Sequence, residues 1–133
     1  MDGVATGSMR MVVISDTRER LQMAAMVASV AAVNGSEVVV FVSMNALPFF
    51  LRTASPIPPA EGMAGQLLER KHAPPFKQLF AQAVEVGDAR IHPCMMAMEI
   101  LGMSREMLEP FLGEPMDLAK FLADGVGSQT WLF

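Results

Sequence analysis

The chain has 133 residues, a length suited to one domain, with 52% hydrophobic and only 18% charged residues. Its net charge of −4, with Arg18, Arg20, Arg70, Lys71 and Arg105 scattered, leaves no basic stripe to displace counterions, so nucleic acid is excluded as a partner. A single cysteine excludes an intrachain disulfide framework, and with only His72 and His92 beside it no metal site is expected.

Residues 1–8 are small and polar, lack the features of a secretory leader, and read as disordered. Met11–Ile14 and Val38–Val42 are uninterrupted apolar runs, the pattern of strands covered on both faces. Between them the spacing predicts a helix capped by Asp16, with Glu19 three residues on as in a capping box, and ended by Asn34-Gly35. Leu21, Ala24, Ala25, Ala28 and Ala31 supply its packing stripe. Strand, helix and strand within about 35 residues form a βαβ unit.

Pro48–Arg52 suggests a helical turn, and residues 53–65 a loop punctuated by Pro56, Pro58 and Pro59. Helices are expected over Met63–Lys71 and, opened by Pro75 and stopped by Gly87, over Phe76–Val86. Ala89–His92 reads as a third strand and Cys94–Leu101 as a helix closed by Gly102. Ser104 can cap a further turn, Gly113–Met116 reads as a weak strand, Leu118–Ala123 as a helix and Thr130–Phe133 as the last strand. The alternation predicts a single α/β domain, a three-layer α/β/α sandwich on a mostly parallel sheet of about five strands. Neither apolar stretch, Met23–Val33 or Val38–Leu51, has the length or continuity of a membrane span, so a cytoplasmic protein is expected.

Ligands of parallel sheets gather beyond the carboxyl ends of the strands. Three such ends occur here: Ser15-Asp16-Thr17, Ser43-Met44-Asn45 and His92-Pro93-Cys94. A thiol in the first turn of a helix meets unpaired N–H groups and the positive end of the dipole, which favour the reactive thiolate. The backbone N–H groups of Met95 and Met96 would then face the anion. His92, two residues earlier on an extended strand, would share its face, and Met95, Met96 and Met98 would give soft, apolar surroundings. Against this stands the plainer view of a buried cysteine acting as a small hydrophobe. No G-x-S-x-G, G-x-G-x-x-G, G-x-x-x-x-G-K-[ST] or C-x-x-C motif occurs, so esterase, dinucleotide, phosphate-loop and thioredoxin-type chemistry have no residues to carry them.

Cys94-Met95-Met96-Ala97-Met98 followed by Gly102, placed after the Glu85-Val86-Gly87 helix end and the Ala89–His92 strand, resembles the DsrE/DsrF-like family. The opening Met11–Asp16 strand and loop and the closing Trp131-Leu132-Phe133 extend the likeness over nearly the whole chain. The resemblance implies a persulfide carrier in which Cys94 accepts sulfane sulfur from a rhodanese or TusA-like protein and passes it on. Asp16, His92, Asn45, Met95 and Met96 would line the site. It implies a homo-oligomer, a trimer or hexamer, and no cofactor. Ala97 stands where relatives often carry Ser. The alternative is a non-catalytic oligomeric subunit with a structural cysteine; a peroxide sensor ranks lower, since no Thr or Arg stands beside Cys94.

Overall fold

The computed structural model describes residues 7–133. In chain order the elements are β1 (Ser8–Val13), α1 (Arg18–Val33), β2 (Glu37–Val42), a 3₁₀ segment (Met44–Phe50), α2 (Met63–Arg70) and α3 (Phe76–Glu85). There follow β3 (Arg90–Pro93), α4 (Met95–Leu101), a 3₁₀ turn (Arg105–Met107), α5 (Leu118–Asp124) and β4 (Gln129–Leu132). Of the expected disordered leader, residues 1–6 lie outside the described residues, and Ser8 already pairs with Glu37.

The sheet has four parallel strands in the order β3-β2-β1-β4. Val38 to Val42 are all buried, as an apolar run with no alternation requires of a central strand. The chain steps from β1 to β2 to β3 and then returns past β1 to β4. Because such crossovers are right-handed, α1 and α3 share one face and α5 covers the other. The fold class therefore stands as expected, an α/β layered sandwich, with four strands in place of five. The missing strand survives as an isolated parallel bridge between Cys94 and Met116. Pro115 has no N–H to donate, so the amides that tie this segment to β3 are those of Gly113, to Ile91 O, and Met116, to Pro93 O.

The core face of α1 is built from Leu21, Ala24, Ala25, Ala28 and Ala32, small enough to bring α3 and the sheet close. Its start differs from the capping box expected at Asp16. Thr17 is the residue before the helix, it makes no side-chain cap, and Asp16 is exposed. The proline-rich loop does the capping instead: Pro59 O accepts from Arg18 N–H (2.9 Å). Glu19, rather than turning back on its own helix, accepts from the amides of Glu61 (2.8 Å) and Gly62 (2.7 Å). These bonds, that from Glu61 foremost, hold the Glu19 carboxyl below the usual carboxylate range.

On the opposite face Arg10 is buried in β1. Its guanidinium donates to Phe121 O (3.0 Å) and Asp124 O (3.2 Å) at the end of α5 and lies over the Phe121 ring. A cation there meets the negative end of the helix dipole. Beneath the 3₁₀ segment, Phe50 packs on Phe76, Phe80 and Phe111. Among the described residues no helix is long and apolar enough to cross a membrane.

Candidate functional site

β3 ends at Pro93, and the chain turns directly into α4 with Cys94 as its N-cap, backbone extended at φ −72°, ψ 123°. Pro93 stays in the strand opposite Val42, so alternation continues: Ile91 and Pro93 face one way, His92 and Cys94 the other. Cys94 donates its N–H to Val42 O (2.9 Å) and accepts from Met98 N–H (3.0 Å). Its residue is 5% exposed and its side chain makes no cap hydrogen bond. α4 closes as expected at Gly102, whose φ of 67° is left-handed.

The donors at this helix end differ from those expected. Met95 N–H is taken by Met116 O (3.0 Å), so it does not face the sulfur. The carbonyls four residues before Met96 and Ala97 belong to β3, outside the helix, which makes these two amides the unpaired donors of the first turn. The Met95 and Met96 side chains are exposed, and only Met98 of the three methionines is buried.

His92 Nδ1 lies 2.8 Å from Glu114 O. A carbonyl only accepts, so Nδ1 carries a hydrogen, while Nε2 is buried without a partner. A Cβ on Gly113 would sit 3.2 Å from the ring, so the lack of a side chain there lets the imidazole lie against residues 113–114.

Strand order separates the remaining candidates. β2 neighbours β3, and carrying the register one step past Val42–Pro93 sets Ser43 opposite Cys94. Ser43 is buried and Asn45, at the start of the 3₁₀ segment, exposed. Between them Met44 holds φ at 51°, a conformation that L side chains adopt rarely and that often accompanies function. Asp16 follows β1, two strands from β3, roughly 10 Å off at the usual strand spacing. By register Ser43 lies beside Cys94, with His92 on the same face of β3, whereas Asn45 sits exposed on the segment that follows and Asp16 lies two strands away. Ser43, named in the sequence only as part of a strand end, and Met116 were not among the expected site residues. Among the described residues no group of three His, Cys, Asp or Glu is placed to hold a metal ion.

A sequence model of the DsrE/DsrF-like family matches residues 9–126, from the first strand to the end of α5. The chain belongs to the DsrE/DsrF-like family. Membership supports a sulfur-related role. Among solved structures the fold is similar to that of MTH1491, a protein of unknown function from Methanobacterium thermoautotrophicum, with 11% identity and a TM-score of 0.61. It is similar too to the YchN protein from E. coli, with 13% identity and a TM-score of 0.60. Each alignment covers 96% of this chain and 99% of the other, and at such identities the likeness speaks for the fold alone. No curated protein sequence matches the chain.

Proposed function

We propose that this DsrE/DsrF-like protein is a persulfide carrier of the cytoplasm, loaded and unloaded at Cys94. The observation that carries the reading is the lone thiol at the β3–α4 junction, the N-cap of α4, in a chain of this family. The thiol gives up its proton, which the departing R–S⁻ takes up. The thiolate attacks the outer sulfur of a donor persulfide, R–S–SH; the new bond is Cys94–S–SH and R–S⁻ leaves. An acceptor thiolate then attacks that same outer sulfur and Cys94 leaves as thiolate, so sulfur moves with no net oxidation. The chain has no second cysteine, so donor and acceptor thiols come from other molecules, a rhodanese or TusA-like protein in this reading. The carrier acts as a homo-oligomer, a trimer or hexamer.

The near-complete burial of Cys94 favours a second reading, a subunit whose cysteine only packs. Mass spectrometry after incubation with polysulfide or a loaded rhodanese separates the two. Gain of one sulfur by the wild type and none by Cys94→Ser supports the carrier. A wild type that gains none, and resists iodoacetamide until denatured, overturns it.

A further inference from the structure

Helix α1 carries two apolar stripes, and the fold uses only one. Leu21, Ala24, Ala25, Ala28 and Ala32 point into the core, whereas Met23, Met26, Val30 and Val33 on the far side are between 44% and 61% exposed. Their steps of three, four and three residues are those of a coiled-coil seam, two positions in every seven, directed straight out from the domain. From Leu21 to Ser36 no residue is charged.

We infer that this outer stripe is the two-fold contact between two copies of the chain, with α1 packed antiparallel on α1 of the partner subunit. Centred at the level of Ala28, the pair sets Met23 against Val33 of the partner subunit and Met26 against Val30 of the partner subunit. Symmetry repeats both contacts. Every layer then holds one long, flexible Met and one compact Val, whereas a parallel pair would stack Met on Met and Val on Val. The seam is complementary to itself, as an isologous contact requires. Its flanks, Val27, Ser29 and Asn34, bear no charge, so identical copies meet without repulsion. A membrane surface fits less well, for the stripe lacks the basic rim that anionic lipid selects.

The inference uses no property of Cys94, and failure of sulfur transfer leaves it untouched. It requires an even-numbered assembly: a dimer, or two trimers joined across two-folds. Light scattering on the eluting wild-type protein is expected to give an even number of copies. Val30→Glu, at an exposed position, should halve that mass and raise the dissociation constant at least tenfold, with the unfolding midpoint unchanged. In a Cys94→Ser background, mixing Met23→Cys chains with Val33→Cys chains under mild oxidation should yield a cross-linked pair that neither yields alone. A wild-type monomer or trimer, an unchanged mass for Val30→Glu, or cross-linking of Met23→Cys to itself overturns the contact. So does a monomeric wild type that sediments with phosphatidylcholine vesicles unless Val30 is replaced.

Discussion

The approach of α1 to α3 depends on the missing side chain of Gly87. A Cβ built there would lie 2.5 Å from the Ala32 Cβ, 2.8 Å from the Ala32 carbonyl carbon and 3.0 Å from Ala83 O. Two of these neighbours are backbone, so no rotamer change relieves them; the helices must part, or α3 must shift. Gly87 also leads through Asp88, at φ 58°, into β3, and Ala89 N–H is tied to Ala83 O at 2.9 Å, so the displacement is passed toward the strand that ends at Cys94. Overpacking of this kind costs ~3 kcal/mol, the upper part of the usual range. At roughly 4 °C per kcal/mol for a domain of this size, Gly87→Ala should melt ~12 °C below the wild type. Gly62→Ala is the control: nothing lies within 4 Å of its Cβ, and as the N-cap of α2 it should lose no more than about 1 kcal/mol. Ala32→Gly removes only one of the three clashes and costs about 1 kcal/mol of helix propensity. The double variant should therefore recover part of the loss, with a favourable coupling of about 1 kcal/mol between the sites. Urea and thermal unfolding followed by circular dichroism measure all four variants against the wild type. If Gly87→Ala matches the Gly62→Ala control, or if the two sites show no coupling, the close approach of the helices is not what stabilises this layer.

Arg10→Lys should lose about 2 kcal/mol in urea unfolding, because one ammonium cannot fork to the Phe121 and Asp124 carbonyls as the guanidinium does. Gly102→Ala should cost about 1 kcal/mol by the same assay, since the left-handed backbone that closes α4 disfavours a Cβ even with open space around it. The Glu19 carboxyl, held low first by the Glu61 amide, gives a pH dependence of definite sign. Its folded value lies below the unfolded one, so its contribution is complete above the ordinary carboxylate value and is lost as pH falls through the lowered folded value. Hydrogen exchange at the Glu61 and Gly62 amides should accelerate relative to the intrinsic rate on that acid side, and Glu19→Gln should flatten the response.

What the sequence made legible was local and covalent in origin. The apolar runs of β1 and β2, the alanine stripe inside α1 and the Cys94–Gly102 helix each follow from side-chain type and spacing; the departures are Ile14, which lies past the end of β1 and is exposed, and Ala31, which is half-buried while Ala32 takes the core place. What it concealed was decided by distant segments. Asp16 and Glu19 have the spacing of a capping box, but the Pro59–Gly62 loop reaches the helix end first and takes both the Arg18 amide and the Glu19 carboxylate. Residues 113–116 read as a weak strand, yet Pro115 leaves them too few donors to pair beyond a bridge. At the candidate site, the position of Cys94 at a strand end was readable, but its neighbours were not, because strand order is a long-range property. The order β3-β2-β1-β4 promotes Ser43 and demotes Asp16 without changing a residue. It also explains why the amide expected to face the sulfur does not: a segment some twenty residues downstream, at Met116, lies along the edge of β3 and captures the Met95 N–H. Which amides stand free at the start of α4 is thus decided by this borrowed edge as well as by the helix itself, and in the proposed carrier freeing the Met95 amide is the change expected to alter most how an anion would be held.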